Sequence, residues 1–169
     1  MNNVIHHKTD FEGMRKAGHL AASTLDMLVD VVKPGITTEE IDNKAFEFIN
    51  NNGGLIGPLF YKGFPKSICT SINHVICHGI PSSRILESGD IVNIDVTVIL
   101  DGWHGDTSRM FPVGNISSKA QRLIDCTFEA MHKGIEKISP GKKLGDLGHA
   151  IQAFAESQNY SVVRDFCGH

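Results

Sequence analysis

Two aspartates in the middle of the chain have the residue type and spacing for metal chemistry. Asp95 lies in Ile91–Leu100, a run that alternates apolar and polar side chains, and Asp106 follows shortly after it. Between them, Asp101-Gly102 predicts a two-residue hairpin turn, because both residue types tolerate positive φ. With that turn Thr97 faces Asp106, so the two carboxylates share one face as diagonal neighbours, about 7–8 Å apart at the backbone.

Two carboxylates this close repel each other unless a cation lies between them. Arg109 has the opposite parity, so neither Lys nor Arg shares the predicted face. A divalent metal is the economical interpretation, and a carboxylate-bridged metal pair would suit hydrolysis. The alternative is a solvated pair on an edge hairpin. The apolar other face of the strand, with Asn93 and Thr97 as hydrogen-bonding neighbours, favours the metal.

Three histidines are candidates for the same site. His78 ends an apolar run just before Gly79-Ile80-Pro81, and its spacing leaves two interpretations open, a hydrogen-bonded core residue or a side chain directed into a cleft. His104 shares the aspartate face by parity. His169 follows Cys167-Gly168, and by position alone it is more typical of a frayed chain end than of a ligand.

Four helices are predicted around the hairpin. Capping-box spacing at Thr9–Glu12 and Thr37–Glu40 marks the first two, and Pro34-Gly35 is expected to end the first. The other two are expected over residues 118–138 and 144–158. A short strand is expected at Ser161–Arg164. The apolar spacing of the helices predicts these inward-facing side chains: Met14, Ala17, Ala21, Leu25, Leu28, Val32, Ile41, Ala45, Phe48, Ile49, Leu147, Ile151 and Phe154.

A weak internal repeat relates the two helical pairs. Val32-Lys33-Pro34-Gly35 recurs as Ile138-Ser139-Pro140-Gly141, at an offset of 106 residues. The repeat predicts two halves, about residues 10–112 and 118–169, within one domain over residues 1–169. Counterparts of the strands at 67–112 would lie beyond His169, so the expectation is a complete first half and a truncated second half.

Composition and charge are those of an ordinary globular chain. Of 169 residues 41% are apolar, and the formal charge of −3 gives no general attraction to nucleic acid or anionic membranes. No apolar run is long enough for a membrane span or a signal peptide, so a cytoplasmic location is the default expectation. Cys69, Cys77, Cys126 and Cys167 form no C-x-x-C pair and are expected to be free thiols.

The motifs, taken in order, resemble the bacterial-type type I methionine aminopeptidases over essentially the whole chain. The resemblance implies the pita-bread fold, an α/β architecture of two pseudo-symmetric halves around a dinuclear metal site. It also implies removal of the initiator methionine from nascent polypeptides whose second residue is small. The motifs that carry it are these: Tyr61–Asn73, Cys77-His78-Gly79-Ile80-Pro81, Ile94-Asp95-Val96-Thr97, His104-Gly105-Asp106-Thr107-Ser108 and Cys167-Gly168-His169.

The same resemblance assigns metal ligands and partners. It implies two divalent ions, Co, Mn, Fe or Zn, with Asp95 as a bidentate ligand of one, Asp106 bridging both and His169 on the other. Thr97 would support the ligands. The implied partners are nascent polypeptide N-termini, with the ribosome as a setting, and neither nucleic acid nor membrane. A monomer is expected.

Substrate-binding residues follow from the resemblance as well. His78 is similar to the histidine that contacts the substrate amide and helps stabilise the tetrahedral intermediate. Tyr61, Phe64 and Cys69 resemble the walls of the methionine side-chain pocket, where an apolar, sulfur-tolerant lining would suit a thioether.

Two alternatives remain open. In the family, two glutamate ligands and a second histidine follow the position of His169, so these 169 residues alone are expected to lack normal turnover. A catalytically incompetent fragment or a peptide-binding module of the same fold is therefore one alternative. A proline-directed peptidase of that fold is another, although the segment Tyr61–Asn73 favours the methionine-specific branch.

Overall fold

The computed structural model describes residues 5–167. The chain forms two compact units, Met1–Ile116 and Ser117–His169, and each is described by itself below. The organisation of the chain as a single domain stays a prediction.

A four-stranded antiparallel sheet forms the centre of the first unit. Its longest strands are β3 (Ile91–Leu100) and β4 (Trp103–Pro112), joined by the tight turn at Asp101-Gly102. The other edge of β3 pairs with two shorter strands, β1 (Leu55–Ile56) and β2 (Cys69–Ile72). The alternating pattern of residues 91–100 thus predicted the strand and its bounds correctly.

Two helices cover one face of this sheet. They are α1 (Asp10–Leu28) and α2 (Thr38–Asn51). The alternate apolar side chains of β3, from Val92 to Val98, are fully buried against them. Helix α1 crosses β4 so closely that a Cβ at Gly105 would collide with the Ala17 carbonyl. Glycine at position 105 therefore lets the helix lie directly on the strand.

The predicted capping box of α2 is confirmed. The Thr37 hydroxyl accepts from the Glu40 N–H at 3.1 Å, and the Glu40 carboxylate accepts from the Thr37 N–H at 2.9 Å. On the inner face of α2, Ile41, Ala45 and Ile49 are buried, as predicted.

Helix α1 begins directly after Thr9, as predicted, but the predicted capping box is absent and the predicted end was wrong. Thr9 has helical dihedral angles and makes no capping bond; the Asp10 carboxylate instead accepts from the His7 N–H at 2.9 Å. The helix ends at Leu28, well before Pro34-Gly35, in a valine-rich stretch whose β-branched side chains disfavour helix. Of the predicted stripe, Met14 is exposed within the helix, whereas Val32, beyond its end, is partly buried against the core.

The second unit contains the helices α3 (Ser118–Ile135) and α4 (Leu144–Ser157). Helix α3 is shorter than predicted because residues 136–138 form a tight turn, with the Ile138 N–H bonded to the Ile135 carbonyl at 3.0 Å. The two helices meet at Gly134, where an added Cβ would lie 2.8 Å from the Ile151 side chain.

One expectation for the second unit was wrong, and another is met in part. The segment Ser161–Arg164 is not a strand, since no strand among residues 117–167 pairs with it. Residues 160–163 instead line a cavity of about 400 Å³ together with α3 and α4. The predicted inward-facing side chains of α4 do face α3, where Leu147 and Ile151 lie against Gly134, but they and Phe154 are only half-buried.

Within residues 5–167, no helix combines the length and apolar character needed to cross a membrane. All four cysteines are free thiols, as predicted.

Candidate metal centre

The hairpin places the two predicted carboxylate ligands on one face of the sheet. Thr97 lies opposite Asp106, and Asp95 lies opposite Ser108. Every pairing predicted from the Asp101-Gly102 turn is confirmed. Because directly paired residues share a face and Asp106 is diagonal to Asp95, the carboxylate face defined by these side chains exists as the sequence predicted.

Arg109 lies on the other face of β4, where its guanidinium donates to the Asp26 carboxylate of α1 at 2.8 Å. Within the hairpin, the carboxylate face therefore has no Lys or Arg to balance Asp95 and Asp106. His104 is the one basic side chain of the hairpin on this face, and it is exposed. The donor chemistry of the face suits a hard or borderline divalent cation.

Strand β2 extends the carboxylate face. Cys69 pairs with Asp95, and Ser71 pairs with Asn93. The Asn93 amide in turn donates to the Ser108 hydroxyl at 3.5 Å, which connects β3 to β4 on the same side. The polar residues of three neighbouring strands thus form one continuous surface around Asp95.

Burial raises the pKa of the Cys69 thiol to about 12, and the nearby Asp95, Cys77 and Asp106 add to this effect. Two physical consequences follow. The thiol is neutral at physiological pH, and the nearby carboxylates of Asp95 and Asp106 make its surroundings more negative. Two carboxylates beside one another favour a cation between them.

Thr97 is held by close contact with the backbone of residues 56–58. The Gly57 N–H donates to the Thr97 carbonyl at 3.0 Å, and an added Cβ at Gly57 would lie 2.7 Å from the Thr97 methyl group. Glycine at position 57 therefore allows the backbone there to lie directly against Thr97. Thr97 itself lies between the predicted ligands Asp95 and Asp106 on the carboxylate face.

His78 is exposed, so the interpretation as a buried core residue was wrong. Its φ is +55°, a left-handed conformation that costs free energy for a residue other than glycine. Such strain is typical of functional sites, where the surrounding structure holds it in place. The contacts of the following residue, Gly79, with β2 bring this loop to the edge of the carboxylate-bearing sheet.

The three predicted pocket residues lie on one connection that leads into β2. Tyr61 is exposed in a 3-10 turn, Phe64 is half-buried just after it, and Cys69 is buried at the start of β2. The Phe60 N–H donates to the Phe64 carbonyl at 2.7 Å, which closes this loop on itself. Their role as pocket walls stays a prediction.

Sequence reasoning missed Asp42, which holds the beginning of β2. From the inner face of α2, its carboxylate accepts from the N–H groups of Ser67 and Ile68 at 2.8 and 3.0 Å. Next to it, Lys66 forms an ion pair with Glu39 at 2.7 Å. A charged residue among the apolar positions of α2 was the available signal.

The third predicted ligand, His169, lies outside the described residues. Among residues 5–167, no group of three His, Cys, Asp or Glu side chains is close enough to hold a metal ion. Of the predicted ligands, this part of the chain contains the pair Asp95 and Asp106. Asp95, which is half-buried, and Asp106, which is exposed, share one face of the hairpin, where no Lys or Arg of the hairpin balances them, and this donor set fits a divalent metal.

A comparison with protein families matches residues 12–169 to metallopeptidase family M24. The chain belongs to this family. The M24 assignment implies the use of divalent metal, in agreement with the carboxylate pair on β3 and β4.

Comparison with individual proteins of the M24 family shows which peptidases this chain is similar to. The chain is 61% identical to the methionine aminopeptidase of Rickettsia prowazekii over 169 residues, which is all of this chain and 65% of that protein. The crystal structure of methionine aminopeptidase from Rickettsia prowazekii matches with a TM-score of 0.97 and 60% identity, over 98% of this chain and 67% of that one. The chain thus spans about two thirds of the length of these relatives, and the predicted pita-bread fold class is confirmed.

A more distant structure shares the fold of this chain but little of its sequence. The Xaa-Pro dipeptidase from Bacillus anthracis matches with a TM-score of 0.81 over 92% of this chain and 42% of that one, but at 19% identity. This likeness concerns the fold and carries no information about substrate.

Proposed function

We propose that the protein containing this chain is a methionine aminopeptidase that removes the initiator methionine from newly made polypeptides with a small second residue. The observation that carries the proposal is the pairing of β3 with β4, which sets Asp95 and Asp106 on one face with Thr97 between them. High identity to a methionine aminopeptidase over the whole chain supports the substrate class.

Two divalent metal ions are proposed at this face, chosen among Co, Mn, Fe and Zn by availability. Asp95 and Asp106 would hold them, with His169 as a further ligand. When bound, such ions lower the pKa of water and polarise the scissile carbonyl. Thr97, paired with Asp106, would keep the ligand carboxylates oriented.

His78 is proposed to donate a hydrogen bond to the substrate at the reacting amide. Its exposed side chain and strained backbone support this role, since a positioned donor can stabilise charge that develops in the transition state.

Tyr61, Phe64 and Cys69 are proposed as walls of the methionine pocket. A thiol with a pKa of about 12 stays neutral, so Cys69 offers an uncharged, polarisable surface to the thioether of the substrate. An ionised thiolate at the same place would disfavour an apolar side chain.

The partners and setting are part of the same proposal. Nascent polypeptide N-termini, some still on the ribosome, are the proposed substrates, and the proposed functional unit is a monomer without direct nucleic-acid or membrane partners. Because the initiator methionine first becomes accessible where chains are synthesised, the proposed location is the cytoplasm.

The experiment is the release of free methionine from a Met-Ala-Ser peptide with Mn²⁺ or Co²⁺, using the purified protein that contains this chain, with its intact mass verified; the 169 residues alone are assayed beside it and should release little. An N-acetylated copy of the peptide and a Met-Leu-Ser peptide should be poor substrates. An Ala-Pro-Ser peptide tests the proline-directed alternative. Methionine release that chelator abolishes and added metal restores would support the proposal.

Matched variants on the hairpin make the test specific. Asp106→Asn should abolish methionine release, whereas Asp101→Asn, in the exposed turn of the same hairpin, should leave it unchanged because Asn also tolerates the φ of +51° found there. Equal activity of the Asp106→Asn variant and the unmodified protein, or preferred cleavage of the proline peptide, would contradict the proposal.

A further inference from the structure

We infer that Ser71 is a positioning residue for His78. The inference rests on the function proposed above for His78 and adds a residue that acts through it. Ser71 lies in β2 opposite Asn93, on the carboxylate face and two residues from Cys69. Its side chain is buried, and its hydroxyl accepts a hydrogen bond from the Gly79 N–H at 3.2 Å.

The position of this hydrogen bond makes it relevant to His78. The Gly79 N–H belongs to the peptide group that follows His78, so a fixed partner for it restricts the ψ angle of His78. A second bond, from the Thr70 N–H to the Gly79 carbonyl at 2.8 Å, fixes the other end of the same residue. Gly79 is thus bound to two consecutive residues of β2.

Steric contact strengthens this attachment. A Cβ at Gly79 would collide with the Thr70 carbonyl oxygen, so the loop lies against the strand without any side chain between them. Glycine is the residue type that permits so close an approach. The loop therefore has little freedom to move at Gly79 while both hydrogen bonds are present.

His78 needs such support because of its own backbone. A φ of +55° is unfavourable for a residue with a Cβ, and it is sustained only where surrounding contacts determine the conformation. Without the Ser71 hydroxyl, the Gly79 N–H would lose its acceptor and His78 could relax toward a common conformation. The imidazole would then point away from its position beside the sheet.

Strand β2, which carries Ser71, holds this hydrogen bond in a fixed position relative to the metal ligands. It pairs with β3 from Cys69↔Asp95 to Ile72↔Val92, so Ser71 is fixed relative to the predicted ligand Asp95 by the sheet ladder. The His78 imidazole is therefore connected to the predicted metal ligand Asp95 through a rigid element. The connection runs from His78 to Gly79, from Gly79 to Ser71, and along β2 to its pairing with Asp95. Small errors in such placement are costly for catalysis.

The test compares Ser71→Ala with Ser71→Thr, which keeps the hydroxyl, and with Ser83→Ala, an exposed serine on the loop that follows His78. For methionine release from Met-Ala-Ser, we expect Ser71→Ala to lower kcat about tenfold with KM changed less than about twofold. Ser71→Thr should recover most of kcat, and Ser83→Ala should match the unmodified protein.

A double-substitution cycle separates positioning from general damage. Ser71→Ala added to His78→Ala should cost no further activity if Ser71 acts through His78. An unchanged kcat in Ser71→Ala, or equal losses in the presence and absence of His78, would overturn the inference.

Two spectroscopic readouts keep the inference testable if the proposed activity fails. In the unmodified protein, the Gly79 amide should exchange with solvent at least about 100-fold more slowly than an unstructured amide. Ser71→Ala should remove that protection and shift the His78 imidazole resonances, while Ser83→Ala should do neither. An unprotected Gly79 amide in the unmodified protein would by itself overturn the positioning role, whether or not methionine is released.

Discussion

Thr97 and Asp106 lie directly opposite each other across the β3–β4 hairpin. This pairing sets the parity of both strands, since a shift of one residue would move every side chain of β4 to the other face of the sheet. It therefore also decides that Asp95 and Asp106 share a face and that Arg109 does not. The candidate metal centre depends on this register.

The first prediction concerns metal affinity. Asp95→Asn and Asp106→Asn should each weaken Mn²⁺ or Co²⁺ binding by at least about 100-fold, because an anionic ligand is lost from a site whose charge attracts the ion. Titration calorimetry measures both affinity and stoichiometry. Asp101→Asn is the control, and metal binding that is equally tight in all three variants would argue against a site on this face.

The second prediction concerns Gly57. In Gly57→Ala the new methyl group would meet the Thr97 side chain at 2.7 to 2.9 Å, so the strand or the β1 segment must shift. We expect a loss of about 1–3 kcal/mol in the free energy of unfolding and about 10- to 100-fold in metal affinity. Urea unfolding and calorimetry provide the two values.

Gly18→Ala is the matched control for this glycine. It lies in α1, and an added Cβ there would have no atom within 4 Å among its neighbours. Alanine should raise the free energy of unfolding by about 0.5–1 kcal/mol and leave metal affinity unchanged. Similar behaviour of the two variants would show that the contact with Thr97 has no effect.

The third prediction concerns Asp42. Asp42→Ala leaves the buried N–H groups of Ser67 and Ile68 without their acceptor, so the free energy of unfolding should fall by about 3 kcal/mol. Asp42→Asn keeps a side-chain carbonyl for the same two donors and should lose clearly less. Urea unfolding near pH 7 compares the two, and equal losses would contradict the role of the acceptor.

The same residue gives a pH dependence with a defined sign. Burial raises the pKa of Asp42 above its ordinary value, despite the two hydrogen bonds that lower it. Folding therefore disfavours the ionised carboxylate, and the contribution of Asp42 to stability falls as pH rises from the unfolded pKa, near 3.8, through the folded one. Asp42→Asn should remove this decline.

The measurement is the difference in unfolding free energy between the unmodified protein and Asp42→Asn over about pH 4 to 7. It should move in favour of the variant with rising pH. Asp30→Asn, at an exposed carboxylate, is the control and should show no comparable trend. A difference that moves the other way would contradict the raised pKa.

Local patterns predicted part of the fold correctly. The β3 strand, the register of its hairpin and the capping box at Thr37–Glu40 each depend on residues close in sequence, and the structure contains all three. The strand predicted at residues 161–164 failed for a reason that is not local. Residues 161–164 have strand-like side chains, but a strand requires a pairing partner that residue types alone do not provide.

The sequence by itself determined the carboxylate face, because the period of two along β3 and a two-residue turn are sufficient to set which side chains share it. Tertiary structure alone decided that β2 places Cys69 beside Asp95, that Asp42 of α2 holds the start of β2, and that Gly79 binds Ser71. These contacts join segments whose approach depends on how the whole core packs, and neither periodicity nor turn chemistry contains that information.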